Sequence, residues 1–75
     1  MKQDLKYKKK LKAFGLKVRE LRESKGWTLE NTEDHGWSNW QHLQKIESGK
    51  NVTLTTVFKI CEVFNVKLTD LFKDQ

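Results

Sequence analysis

One stretch guides the interpretation of the whole chain: Trp37-Ser38-Asn39-Trp40-Gln41-His42-Leu43-Gln44-Lys45-Ile46-Glu47-Ser48-Gly49-Lys50. It predicts a short helix in which Leu43 and Ile46, three residues apart, share a buried face. Side chains that form hydrogen bonds well occupy the remaining surface: Asn39, Gln41, His42, Gln44 and Lys45. Gly49 takes the left-handed position that ends a helix. Two interpretations fit: a solvated amphipathic helix, or a helix that enters the major groove of DNA, where Asn and Gln contact adenine and Lys contacts guanine.

The composition indicates one small all-α domain. A chain of 75 residues has room for a single core, and the absence of Pro and the low content of Gly favour helices. The single Cys61 excludes an internal disulfide. His35 and His42 stand alone, so no Cys/His cluster has the spacing of a zinc site, and we expect no metal and no cofactor.

Several other classes of protein are also disfavoured. No apolar run approaches the roughly 20 residues that a membrane span needs, and the N-terminus lacks the apolar segment of a signal peptide. We therefore expect a cytoplasmic protein. No nucleophile–base set or phosphate-binding Gly loop is present, so we expect no enzyme. The chain has no room for an effector domain, so we expect no small-molecule ligand.

The net positive charge of the chain comes entirely from an N-terminal arm. Residues 1–12 hold six lysines and one aspartate, which equals the whole net charge of +5, whereas residues 13–75 hold nine basic and nine acidic side chains. The arm has helical spacing and either extends the first helix or is disordered. It is either a solubilising tail or a segment that lies along DNA phosphates. We predict the arm over residues 1–12 and the folded domain over residues 13–75.

Four further helices flank the opening stretch. The first covers residues 13–25, where Phe14, Val18, Leu21 and Arg22 repeat at helical spacing and Gly26 follows as a stop. Arg22 lies beside the apolar stripe and therefore needs a partner. The second covers residues 28–35, is acidic, and begins at Thr28 as N-cap.

The fourth helix runs from Leu54 to about Phe64, with Thr53 before it and Asn65 in the left-handed position after it. Its predicted apolar face contains Leu54, Val57, Phe58, Ile60, Cys61 and Phe64. Cys61 is interpreted as a small core residue. A last short helix covers about Thr69–Lys73.

The whole pattern resembles the helix-turn-helix family of phage repressors, Cro proteins and related small bacterial regulators, including the controller proteins of restriction-modification systems. The resemblance covers residues 13–72 and is most specific in Ile46-Glu47-Ser48-Gly49-Lys50 and in the fourth helix. It implies a five-helix, lambda-repressor-like domain that binds operator DNA as a dimer, with the third helix in the major groove. It also implies a structural ion pair between Arg22 and Glu47.

The second helix departs from the family pattern. A Gln that clamps a phosphate is usual at its start, and a gapless match puts Leu29 there and Trp37 at the usual turn Gly. A one-residue insertion in the turn instead puts Gly36 at that Gly and buries Trp37. We favour the insertion.

These observations favour sequence-specific binding of a double-stranded DNA operator and transcriptional regulation. The candidate base contacts come from the third helix: Asn39, Trp40, Gln41, Gln44 and Lys45. Trp40 either contacts DNA or folds back into the core. The candidate phosphate contacts are Thr28, Lys50, Asn51 and Thr53.

One copy contacts too few bases for selectivity, so we expect a homodimer. Its candidate patch is Phe64, Val66, Leu68, Leu71 and Phe72, and the alternative is that all five belong to the core. A second hypothesis is a protein-interaction module, such as an antitoxin or an adaptor that keeps the fold. The neutral body and the acidic second helix favour it.

Overall fold

A computed structural model describes the backbone of residues 2–72 and the side chains of residues 5–72. It contains helix α1 (Lys2–Ser24), a 3-10 helix η1 (Glu30–His35), and helices α2 (Trp40–Glu47), α3 (Leu54–Phe64) and α4 (Leu68–Leu71). The described residues form no β-strand. The prediction of an all-α, five-helix, lambda-repressor-like fold is therefore confirmed.

Helix α1 is much longer than the part that lies over the core. Of the two alternatives for the lysine-rich arm, the structure shows the helix, which runs without a break from Lys2 into the domain. No Gly or Pro occurs before Gly15, and lysine and leucine are good helix formers. The helix accounts for a long axis of 40 Å in a domain that is 24 Å and 21 Å across.

The core is built where α1, α2, α3 and α4 meet. Its buried apolar side chains are Phe14, Val18, Trp37, Leu43, Ile46, Val57, Ile60, Phe64 and Leu71. The pairs Phe14/Val18 and Leu43/Ile46 have the spacing that places them on one face of their helices, as predicted. Helix η1 contributes buried Thr32, whose hydroxyl donates a hydrogen bond to the carbonyl of Leu29.

The ends of α3 agree with the prediction, but its apolar face does not. The hydroxyl of Thr53 accepts a hydrogen bond from the amide of Thr56 at 3.2 Å, and Asn65 is left-handed with φ 54°. Two residues of the predicted apolar face are not buried: Leu54 and Phe58 have exposed fractions of 63% and 55%. The buried face of α3 is centred on Val57, Ile60 and Phe64. Leu54 and Phe58 lie at the edge of this face.

The second helix is a 3-10 helix that begins two residues later than predicted. Thr28 nevertheless makes the contacts of an N-cap: its hydroxyl accepts from the amide of Asn31 at 3.1 Å, and the Asn31 side chain accepts from the amide of Thr28 at 3.3 Å. The segment has little apolar surface to hold a full α-helix against the core, so the tighter and shorter form is adopted.

The last helix is shorter than predicted and begins one residue earlier. The Asp70 carboxylate accepts from the Lys67 amide at 2.9 Å, which fixes the start of α4. The predicted end at Lys73 lies outside the described residues. Cys61 on α3 is half-buried, and burial, with a smaller effect of the Asp70 charge, raises the pKa of its thiol. A protonated, half-buried thiol fits the interpretation of Cys61 as a small packing residue.

Candidate nucleic-acid interface

A buried ion pair fixes the C-terminal end of α2 against α1. The guanidinium of Arg22 donates to the Glu47 carboxylate from Nε at 2.8 Å and from Nη2 at 3.0 Å. Its Nη1 donates to the carbonyl of Trp27 at 2.8 Å. Both side chains are about nine-tenths buried, with exposed fractions of 10% and 8%. The hydrogen bond to Glu47 raises the pKa of Arg22. Glu47 therefore holds α2 in place and is turned away from its outer face.

The two helices also approach each other at backbone distance. Gly15 of α1 packs against the last turn of α2, and a Cβ atom at Gly15 would lie 2.6 Å from the carbonyl oxygen of Glu47 and also within clashing distance of that of Ile46. Only glycine allows this contact. The crossing of α1 and α2 is thus set by Gly15 at one point and by the Arg22–Glu47 pair nearby.

The turn that leads into α2 agrees with the inserted-turn interpretation. Gly36 is left-handed with φ 107°, and Trp37 after it is only 3% exposed. The Trp37 ring nitrogen donates to the carbonyl of Asn39 at 2.8 Å. Lys59 of α3 lies above the Trp37 ring and donates to the hydroxyl of Ser38 at 3.2 Å. The turn is therefore held to the body of the domain.

The first amides of α2 are all bonded by side chains. The Asn39 side-chain oxygen accepts from the amides of Gln41 at 2.9 Å and His42 at 3.3 Å. The Glu33 carboxylate of η1 accepts from the amide of Trp40 at 2.9 Å. Two consequences follow. Asn39 keeps only its NH2 group for a base contact. The Glu33 carboxylate of η1 stabilises the first turn of α2.

The outer face of α2 presents amide and ammonium groups. Gln41, Gln44 and Lys45 are exposed, and their spacing of three and four residues puts them side by side, opposite Leu43 and Ile46. Trp40 is half-buried at the start of the helix, so part of its ring stays accessible. His42 is exposed but lies beside Trp37, with 5.9 Å between the ring centroids, which places it toward the body of the domain.

The predicted phosphate-contacting residues fall into two places. Lys50, Asn51 and Thr53 are exposed in the loop between α2 and α3. Thr28 lies before η1, and its hydroxyl already accepts from Asn31. The fold also brings two lysines of the N-terminal arm, Lys8 and Lys12, to the same loop, a contact that the sequence did not predict. Their spacing of four residues in a helical arm was the available signal.

The predicted dimer patch contains both buried and exposed residues. Phe64 and Leu71 are completely buried and have no surface to offer a partner, so this part of the prediction is corrected to core. Val66 is half-buried, and Leu68 and Phe72 are exposed. The Phe72 ring also stacks on Phe14, with 5.4 Å between centroids.

Other classes of site find no support in the described part of the chain. Residues 5–72 contain no group of three or more His, Cys, Asp or Glu side chains placed to hold a metal ion. In the same part of the chain, none of the helices is both long enough and apolar enough to cross a membrane.

The combination of an amide-bearing helix, a tight turn and a supporting helix pair is that of a helix-turn-helix domain. The sequence profile described as "Helix-turn-helix" matches residues 18–71. The chain therefore belongs to this family of non-enzymatic DNA-binding proteins that regulate transcription, and the prediction of the family is confirmed.

A solved structure carries the comparison further. The chain is similar to the restriction-modification controller protein C.AhdI from Aeromonas hydrophila, with a TM-score of 0.76 and 28% sequence identity. The alignment covers 84% of this chain and 97% of that chain. No curated protein matches the sequence.

Proposed function

We propose that this protein binds specific double-stranded DNA sequences through the outer face of α2 in the major groove. One observation carries the proposal: Gln41, Gln44 and Lys45 form an exposed polar face on a helix whose opposite side is fixed by Leu43 and Ile46. A rigid helix with amides at this spacing suits bidentate contacts to adenine, with Lys45 available for guanine. Asn39, through its NH2 group, and Trp40, through its accessible edge, complete the candidate base contacts.

Phosphate contacts by the loop after α2 support the same geometry. Lys50, Asn51 and Thr53 follow the helix directly and are exposed, so they are positioned to hold the DNA backbone beside the bases that α2 contacts. Thr28 is the fourth candidate, two residues before η1. Because C.AhdI is called a controller protein, we propose that this chain likewise controls the expression of genes near its binding sites, in the cytoplasm at the nucleoid.

The base contacts are tested by replacing the amides. We expect Gln41→Ala and Gln44→Ala each to weaken binding to a specific duplex by about 1–3 kcal/mol, since each removes a bidentate contact. Binding to a scrambled duplex is expected to change little. The measurement is a mobility shift against the promoter region of the protein's own gene. Leu16→Ala, an exposed and uncharged change on α1, serves as the control.

The outcome also separates the two functional hypotheses. The antitoxin or adaptor hypothesis is favoured by the exposed Leu54 and Phe58, which offer an apolar surface to another protein. It predicts no shift of any promoter fragment. Equal shifts with wild type and with both glutamine variants would rule out the proposed base contacts and leave only non-specific attraction.

We further propose that the protein acts as a homodimer through a revised patch. Leu54 and Phe58 are one turn apart on α3. Helix α4 packs on α3 and adds Leu68, Phe72 follows α4 directly, and Val66 lies between the two helices in the chain. Exposed apolar side chains on adjacent helices are typical of an interface. A twofold dimer would present two α2 helices to a pseudo-palindromic site.

Sedimentation tests the dimer. We expect the wild type to sediment as a dimer at tens of micromolar, and Phe58→Glu to sediment as a monomer with unchanged helix content, because a charge would be placed in the apolar contact. Leu16→Glu is the matched control, since Leu16 is 51% exposed on the side of α1 opposite Phe14. A wild-type monomer at this concentration would contradict the proposal.

A further inference from the structure

A polar cleft lies between the lysine-rich part of α1 and the loop that follows α2. Its volume is about 430 Å³. It is lined by Lys8, Leu11, Lys12, Ser48, Gly49, Lys50 and Asn51. The family profile begins at residue 18, so three of the seven lining residues come from a part of the chain that the profile does not include.

The two sides of the cleft are held together by backbone contact. Gly49 is left-handed with φ 100°, and a Cβ atom at this position would lie 3.2 Å from the Cα atom of Lys12. The loop therefore rests directly on the backbone of α1. Since α1 is one continuous helix from Lys2 to Ser24, this contact also fixes Lys8, one turn before Lys12. The lysines here belong to a rigid surface and are not carried by a loose tail.

The cleft collects positive charge that no described ion pair neutralises. Among residues 5–72, its lining contains three ammonium groups, from Lys8, Lys12 and Lys50, and no carboxylate. The ion pairs found among residues 5–72 are Arg19–Glu23 and Arg22–Glu47, and neither involves these lysines. The three ammonium groups repel one another. An anion bound in the cleft attracts all three at once and offsets this repulsion.

The cleft is continuous with the outer face of α2. The amide of Lys50 donates to the carbonyl of Lys45 at 3.1 Å, so the two residues mark the end of that face and the edge of the cleft. Ser48, which follows at the helical spacing of Gln41, Gln44 and Lys45, lines the cleft. A polyanion that lies along α2 therefore passes next to Lys50 and reaches Lys12 and then Lys8.

We propose that Lys8, Lys12 and Lys50 bind backbone phosphates of the DNA just beyond the bases that α2 contacts. This inference rests on the proposed function and adds DNA contacts from residues that precede the part of the chain matched by the family profile. Lys8 and Lys12 lie about 6 Å apart along the helix axis, so they can hold separate phosphates of one strand. These contacts raise the affinity for every sequence equally, because phosphates carry no sequence information.

The arm offers its own matched control. Lys6 and Lys10 belong to the same segment and carry the same charge, but they line a different surface of α1, together with Leu5 and Lys9. If the arm acted only through its net charge, neutralising either pair would have the same effect. If the cleft binds phosphates, only the pair Lys8 and Lys12 matters strongly.

The experiment compares Lys8→Gln/Lys12→Gln with Lys6→Gln/Lys10→Gln in the full-length protein. Binding is measured by fluorescence anisotropy over a range of salt concentrations, on a promoter duplex and on a scrambled duplex, with circular dichroism as a check on folding. We expect the first variant to make the plot of log K against log salt less steep by about 2 for each bound subunit, and so by about 4 for a dimer, and to lose the same factor of affinity on both duplexes. We expect the second to keep a slope close to that of the wild type.

The possible outcomes are distinct. Equal slopes and affinities for the two double variants would overturn the phosphate cleft and leave the proposed base contacts of Gln41 and Gln44 standing. A wild-type protein that binds neither duplex would overturn both the proposed function and the cleft. A loss confined to the promoter duplex would also contradict the inference, since it would mean that Lys8 and Lys12 distinguish sequences.

Discussion

Arg22→Ala is expected to lose about 3–5 kcal/mol of folding free energy, the usual cost of removing one partner of a buried ion pair. The substitution leaves the Glu47 carboxylate buried without its two hydrogen bonds and leaves the carbonyl of Trp27 without its donor. A domain of this size has a total stability of only about 5–10 kcal/mol. We therefore expect a large fall in the thermal midpoint, measured by circular dichroism at the helical signal.

The control for Arg22 lies on the same helix. Arg19 pairs with Glu23 at 3.2 Å, but the two side chains are 56% and 54% exposed, so solvent screens the attraction. Arg19→Ala is expected to change stability by less than about 1 kcal/mol. A second variant, Arg22→Met/Glu47→Leu, is expected to recover part of the loss, because no charge is then left buried alone. An unchanged midpoint for Arg22→Ala would show that the pair does not hold α2.

Gly15→Ala is expected to destabilise the domain, although the same change inside an ordinary helix stabilises it by about 0.5–1 kcal/mol. The added methyl would clash with the carbonyl oxygens of Ile46 and Glu47, so α1 and α2 must move apart. Overpacking of this kind costs about 1–3 kcal/mol or more. The displacement also stretches the Arg22–Glu47 pair. Chemical denaturation of the variant measures the loss, and DNA affinity is expected to fall with it.

Gly26→Ala gives the comparison for Gly15. Gly26 has φ 73° and no neighbouring atom within 4 Å of an added Cβ, so only backbone strain opposes the change. That strain costs about 1–2 kcal/mol. Alanine is usually tolerated better at a glycine with helical backbone than at one with positive φ. Here we expect the opposite: Gly15, inside α1, tolerates alanine less than Gly26. If Gly15→Ala were as stable as the wild type, the close crossing of α1 and α2 would be disproved.

The sequence was most informative where structure depends on neighbours along the chain. Thr53 before α3 and Asn65 after it are local signals, and both act as predicted. The stripe of Phe14 and Val18 and the pair Leu43 and Ile46 follow from helical periodicity alone. A third success was non-local: Arg22 beside an apolar stripe required a partner, and the family resemblance named it as Glu47.

The errors have a common physical origin in contacts between distant segments. Whether Leu54 and Phe58 are buried depends on which direction α3 presents to α1 and α4, and a wide apolar face does not specify it. The Glu33 carboxylate of the acidic η1 bonds the amide of Trp40 at the start of α2, and no periodicity of the second helix predicts that contact. Lys12 meets Gly49 across 37 positions of the chain, and no periodicity reveals that contact.

The most direct test of the account is selection of bound sequences from a random pool of duplex DNA. The outer face of α2, with Gln41, Gln44 and Lys45, predicts enrichment of a short sequence with adenine and guanine at fixed positions. A dimer predicts that the sequence recurs as an inverted repeat with centres about one helical turn apart. Gln41→Ala/Gln44→Ala is expected to lose the enrichment at the adenine positions. A pool that stays random after repeated rounds with the folded wild type would contradict the claim that α2 reads DNA sequence.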